Sequence, residues 1–221
     1  MWVSSFLRDR SQQVQLGGYV SAEMTLDCGV PQGSTLSPLL FNIYILPLIV
    51  ALSQMGCEIF NYADDTQLIL SMGNSVEAQE SVQNTLRFVV QWMTVNWLII
   101  NPDKNEVLVI APKGCPWSDR YWPLKVSPAP PPASVVKSLG IKVDSKLSMC
   151  NQVLAVCGTC IGILRRLRKL APLLTLPTLR TVVTALILSR LDYGNALYIG
   201  LKVGILEKLQ INMNDAARLL F

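Results

Sequence analysis

Two adjacent carboxylates, Asp64 and Asp65, lie in the run Tyr62-Ala63-Asp64-Asp65. Strand-like stretches flank them at 57–62 and 66–71, so the segment reads as a β-hairpin with a short acidic link. Successive strand side chains point to opposite faces, but the twist at a hairpin apex lets neighbouring carboxylates approach one point. Such a pair can hold Mg2+, which prefers oxygen ligands and keeps several waters for substrate phosphates. Two ions held close together would activate an attacking hydroxyl and stabilise a leaving pyrophosphate. An isolated Asp-Asp pair is also a good polar turn, so its chemistry depends on what else the chain supplies.

The second element is upstream. Gly29-Val30-Pro31-Gln32-Gly33-Ser34 opens an apolar helix, with Ser34 or Thr35 as a suitable N-cap and Pro38 in the first turn. Glycines allow close backbone approach to a ligand, and Gln32 offers both a donor and acceptors. A helix N-terminus favours phosphate. The same residues also suit a plain turn and cap.

Composition narrows the classes. The 221 residues contain no histidine, which excludes a Ser-His-Asp or Cys-His machine and any histidine-ligated zinc site. Carboxylate-held metal remains open. Apolar residues make up 51% and charged residues 15%, which excludes a wholly disordered chain. Six cysteines fit no dense disulfide framework, and Cys157-x-x-Cys160 lacks a second pair at finger spacing, so ordinary thiols are expected. The first residues lack a charged segment followed by a long apolar run, so no secretory signal is read and an intracellular location, nuclear or cytoplasmic, is expected.

Charge is unevenly spread. Residues 1–150 carry 10 Lys and Arg against 12 Asp and Glu, whereas residues 151–221 carry 9 against 3. The basic run Arg165, Arg166, Arg168 and Lys169 lies opposite an apolar face of Ile161, Leu164, Leu167 and Leu170. Those charges make a solvated face, a track for a nucleic-acid backbone, or an interfacial membrane helix. Mean hydropathy is +0.37. The apolar stretch 36–52 is short for a bilayer span and is interrupted by Pro38, Asn42 and Pro47, so a buried core helix is expected; a membrane span there is the alternative.

The elements that must position these residues follow from periodicity. Residues 1–8 resemble a helix end, and 12–20 and 23–28 are strand-like around Gly17-Gly18. After the hairpin, a helix starts near Asn74, with Glu77 three residues later, and shows an apolar face of Val82, Leu86, Val89 or Val90, Met93 and Trp97. A short strand at 107–110, a stiff proline-rich connection at 127–132 and two short strands within 136–149 come next. Three helices are predicted at 153–171, 176–192 and 205–220. Hairpin, helix and strand in that order predict an α+β fold with a helix packed on a sheet.

The run GVPQGSTLSPLLFNIYI (29–45) followed by FNYADDTQLILS (60–71) resembles the palm of a reverse transcriptase of the non-LTR, LINE type. NPDKNEVLVI (101–110), VKSLGIKVDSKLSM (136–149), LSRLDYGNALYIG (188–200) and AARLL (216–220) extend the resemblance in order over nearly the whole chain. The resemblance implies a partial right-hand palm at 1–150, including a primer-grip-like hairpin, and a helical thumb-like segment at 151–221. It implies RNA-directed DNA synthesis with Mg2+, an RNA template, a DNA primer and deoxynucleotides. Asp64 and Asp65 would be the metal ligands. Gln32, Gly33 and Tyr62 would line the template and incoming nucleotide. Lys104 would assist pyrophosphate departure, or is an exposed turn lysine. Leu139 and Gly140 would sit in the primer grip, with Arg165, Arg166, Arg168 and Lys169 on the nucleic-acid backbone; no membrane is expected.

The sequence also departs from the family pattern. A third palm aspartate, carried by a strand before the glycine-rich turn, has no counterpart, since Asp9 and Asp27 lie outside any similar motif. The fingers are missing too, as for a truncated copy of a dispersed element. Smaller departures are Asn105 for Thr, Gly194 for Cys, and 150–152 where a His is usual. Members of a jointly acting site are worth orders of magnitude each. This chain alone is therefore expected to be inactive, and a non-catalytic nucleic-acid-binding remnant is the alternative.

Overall fold

The computed structural model describes residues 2–71, 75–111 and 130–221. The chain divides into two compact units, Met1–Ile100 and Asn101–Phe221. Each has its own apolar core. Helices and two-stranded antiparallel sheets build both, so the architecture is α+β. The division falls well before residue 150, because the hairpin after residue 134 packs with the helices that follow it.

In the first unit, α1 (Trp2–Leu7) leads into four short strands, β1 (Arg10–Gln12), β2 (Gln15–Leu16), β3 (Tyr19–Val20) and β4 (Met24–Leu26). They nest, β1 pairing with β4 and β2 with β3, so the run folds back once, at Gly17-Gly18, as a single interrupted hairpin. Helix α2 (Ser37–Gln54) then buries Ile45, Leu48 and Leu52 against the hairpin of β5 (Glu58–Tyr62) and β6 (Asp65–Ile69). Pro38 sits in its first turn, where the missing N–H removes no hydrogen bond. The cap differs from expectation: Leu36 holds the N-cap position, and the Ser34 hydroxyl accepts from the Leu36 N–H at 3.1 Å instead of capping the helix itself.

Helix α3 (Val76–Val95) completes this layer, with Val82 and Val89 buried. Its N-cap is Ser75, whose hydroxyl accepts from the Ala78 N–H; Asn74 lies outside the described residues. The helix stops at Val95, so Trp97 leaves the expected apolar face and is 92% exposed, at a φ of 56°. The Tyr44 hydroxyl donates to the Asn96 carbonyl at 2.6 Å, and its ring meets Trp92 edge-on, which ties α2 to the end of α3.

The α2 helix is apolar all round. Ile45, Leu48 and Leu52 are inward, while Leu39, Ile43, Leu46 and Val50 remain exposed. By length and composition it could cross a membrane, and 22% of it is buried. Its inner face is a core element, as expected of 36–52; the outer face is not covered within the unit.

In the second unit the segment 107–110 forms no strand. It contributes one parallel bridge, Leu108 to Ala133, because a strand needs a continuous partner and the neighbouring chain meets it at one position. Half of the proline-rich connection, 127–129, lies outside the described residues. β7 (Val135–Ser138) and β8 (Ile141–Asp144) pair as a hairpin. Helices α4 (Cys150–Leu170), α5 (Leu176–Val183), α6 (Ser189–Asp192) and α7 (Val203–Arg218) follow, with a π-helical turn at Thr184–Leu188 joining α5 and α6. Val153, Cys157, Cys160, Leu164, Leu167, Val183 and Ile187 form the centre of this core. Burial pushes the Cys157 and Cys160 thiols up from their ordinary value, so both stay protonated near neutral pH.

Asp144 connects the hairpin to α4. It is buried, and its carboxylate accepts from the Lys146 N–H, the Ser148 N–H and the Ser148 hydroxyl at 3.0–3.1 Å. These bonds hold a loop in which Leu147 and Met149 have φ of 50° and 54°. Burial alone would raise the Asp144 pKa, but the hydrogen bonds from Ser148, Lys146 and Met149 together prevail and lower it from 3.8. The unfolded chain therefore binds the proton more readily. The stabilisation is complete above the ordinary value and is lost as pH falls through the depressed one. Asp144→Asn is expected to cost about 2 kcal/mol at pH 7 and to flatten the acid limb of stability against pH, as read by urea unfolding.

Candidate active site

The β5–β6 register sets the apex. Tyr62 pairs with Asp65, leaving Ala63 and Asp64 as a two-residue turn. Ala63 takes a φ of 53°, the left-handed value a tight hairpin turn requires. Asn61 braces the turn from the inner face, its side-chain amide donating to Thr66 Oγ1 at 2.9 Å and to the Ala63 carbonyl at 3.3 Å. Ile59, Asn61, Thr66 and Leu68 face inward. Phe60, Tyr62, Asp65 and Gln67 form the outer face, where Tyr62 is 69% exposed.

Asp64 and Asp65 are thus exposed at the free end of the ribbon. Among the described residues, neither belongs to an ion pair. Two adjacent uncompensated carboxylates repel each other and attract a divalent cation. Their hard oxygen donors suit Mg2+, with remaining positions left to water and phosphate. Among the described residues no group of three or more His, Cys, Asp or Glu side chains converges to hold a metal ion. The donor chemistry of Asp64 and Asp65 therefore suits a hard divalent cation, and among the described residues no third His, Cys, Asp or Glu joins them.

The glycine-rich bend belongs to the same unit. Gly29 and Gly33 have φ of 75° and 82°, so both use conformations that side chains disfavour. The Pro31 carbonyl is the hub: it accepts from the Ser37 hydroxyl at 2.5 Å and from the Ser34 N–H at 3.3 Å. Gln32 and Gly33 are exposed on this bend. Arg10, which the sequence reading missed, latches the other end, with Nη2 donating to the Cys28 and Gly29 carbonyls at 3.1 and 2.8 Å and Nε to Leu7 at 3.0 Å. An arginine in a strand carries no local mark of such a role.

The remaining candidates are in the second unit. Lys104 is exposed on a 3-10 turn, Pro102–Lys104, whose start Asn101 caps by accepting from the Asp103 N–H. Leu139 and Gly140 form the two-residue turn between β7 and β8. Arg165, Arg166, Arg168 and Lys169 are exposed on α4, the charged face expected there. Arg168 is partly neutralised by Asp215 on α7, 3.7 Å away, which also pairs with Arg218 at 3.2 Å.

This α+β ribbon with paired apical carboxylates lies within a match that defines the class. Residues 1–143 match the family Reverse transcriptase (RNA-dependent DNA polymerase). The chain belongs to that family. It is 32% identical over 159 residues, 68% of its length, to the RNA-directed DNA polymerase from mobile element jockey of Drosophila melanogaster. The Drosophila funebris jockey polymerase is 30% identical over 122 residues, 52% of the chain. The probable RNA-directed DNA polymerase from transposon BS of Drosophila melanogaster is 29% identical over 109 residues, 47% of the chain. These matches bear out the resemblance stated from the motifs. They span 17%, 13% and 12% of the respective relatives' lengths. No solved structure matches the chain significantly.

Proposed function

We propose that the chain carries the metal-binding part of a retrotransposon reverse transcriptase palm, and that by itself it does not polymerise. One observation carries the reading: exposed, unpaired Asp64 and Asp65 at a two-residue apex, inside the region matched to the family. Asp64 and Asp65 would hold Mg2+. The chemistry such an ion supplies is activation of a primer hydroxyl and neutralisation of a leaving pyrophosphate. Tyr62, beside the carboxylates on the outer face, would border the incoming deoxynucleotide. Gln32 and Gly33 would line the RNA template through an exposed amide and an unobstructed backbone. Lys104 Nζ would give a proton or a positive charge to the departing pyrophosphate.

The functional boundary would fall near residue 150, with a palm and primer-grip-like hairpin before it and a thumb-like helical segment after it. Leu139 and Gly140 would contact the DNA primer. Arg165, Arg166 and Lys169 would track the nucleic-acid backbone, releasing counterions, with Arg168 shared between that role and Asp215. The location would be intracellular, nuclear or cytoplasmic, and α2 would serve as a core helix rather than a span. The net basic charge and exposed basic face of 151–221 favour a second reading, a remnant that binds nucleic acid without chemistry.

Inactivity follows from the two-carboxylate set, since the residues of a catalytic unit act jointly. The purified chain, given a primed RNA template, deoxynucleotides and Mg2+, is expected to extend no primer above a protein-free control while still binding the hybrid. Robust incorporation that disappears in Asp64→Asn would refute the inactivity.

A further inference from the structure

The β7–β8 hairpin is small, four residues on each strand. Isolated two-stranded hairpins are marginal in water, so something outside the ladder must hold this one. At the second pair from its turn, the buried Gln152 side chain accepts from the Lys142 N–H at 2.9 Å, and Glu106 accepts from the Lys137 N–H at 3.0 Å. The turn itself needs more. Leu139 and Gly140 have φ of 45° and 85°, and the left-handed region costs a leucine about 1 kcal/mol.

The brace at the turn comes from 54 residues away. The Tyr193 hydroxyl donates to the Leu139 carbonyl at 2.5 Å. The Tyr193 ring lies over the turn, its Cε1 3.8 Å from where a side chain on Gly140 would begin. Tyr193 closes α6, and the chain then reverses at Gly194, φ 72°. A Cβ at Gly194 would stand 2.7 Å from Ile141 Cδ1. The glycine thus lets the end of α6 close directly on the first residue of β8. Leu139 is left 43% exposed.

We propose that Tyr193 is a positioning residue for nucleic-acid contact: its hydroxyl locks the Leu139-Gly140 turn so that the hairpin and the helical segment grip as one element. The inference rests on the reading that Leu139 and Gly140 contact nucleic acid. It adds a residue that touches no substrate itself and acts through the Leu139 carbonyl. Losing one such bond relaxes a turn that would otherwise be presented ready-made, and the ordering cost then falls on binding.

The test uses the full chain and a fluorescently labelled RNA–DNA hybrid. Tyr193→Phe keeps the ring over Gly140 and removes only the hydroxyl. It is expected to weaken hybrid binding about three- to tenfold. It should also speed amide exchange at 139–141, with Tm lowered by no more than about 5 °C. Leu139→Asp checks the reading itself, because aspartate tolerates the left-handed turn and repels a polyanion. Unchanged affinity in Leu139→Asp removes the nucleic-acid role of the turn and the proposal with it, whatever exchange shows in Tyr193→Phe. Weakened affinity in Leu139→Asp with unchanged affinity in Tyr193→Phe overturns the positioning role alone. So does an affinity loss in Tyr193→Phe that merely follows a large fall in Tm.

Discussion

Asp64→Asn is expected to lower primer-dependent incorporation by about 10³-fold or more when residues 29–149 replace the matching segment of an active jockey-type polymerase. Asparagine keeps the shape and the polar turn, so the hairpin should remain folded. What it removes is the negative charge of one of the two carboxylates at the hairpin apex. Mg2+ dehydrates reluctantly and is usually held through one or two carboxylates, so halving the local charge reduces both affinity and the order of the bound ion. The same substitution in the isolated chain is expected to weaken Mn2+ binding at the apex, read as reduced paramagnetic broadening of the resonances of residues 62–66. Unchanged broadening, or a chimera retaining more than a tenth of its rate, would show that Asp64 is only a turn residue.

Leu48→Ala is expected to destabilise the first unit by about 2–5 kcal/mol. Leu48 is fully buried between Ile45 and Leu52 on the inner face of α2, where the β5–β6 hairpin and α3 meet. Truncation leaves a cavity at the centre of a core that contains few other fully buried side chains. Since a unit of this size has only a few kcal/mol to lose, most of its stability would go. Amide exchange is expected to rise throughout α2, β5 and β6, releasing the platform under Asp64 and Asp65. Amides of α4, whose side chains pack in the separate core around Leu164 and Ile187, should keep their protection. Equal loss of protection in α4 would mean the two cores do not unfold separately.

The elements that carry the candidate carboxylates and the glycine-rich bend were legible because they rest on local rules. An acidic pair between two alternating strands can be read as a hairpin apex, and the observed register places Ala63 and Asp64 in the turn. A continuous apolar stretch opened by a glycine-rich bend can be read as a core helix, and α2 begins within a residue or two of the expectation. The helical segments after residue 150 follow from their 3.6-residue spacing for the same reason. Where a local rule competed with a partner's position, it failed. The run 107–110 has strand composition but meets only Ala133, and Trp97 has the right spacing for α3 but comes after the helix has ended.

Residue types and order alone thus determined the family and the place of Asp64 at a hairpin apex, because these depend on side-chain identity and near-neighbour periodicity. Tertiary structure alone decided the long-range ties that hold the glycine-rich bend and the second hairpin. Arg10 reaches the carbonyls of Cys28 and Gly29, Asp144 gathers the amides before α4, and Tyr193 meets Leu139 across 54 residues. Hydrogen bonds to a backbone carbonyl or amide recognise no particular side chain, so the partner's identity leaves no trace in the sequence; only the path of the folded chain brings each pair within reach.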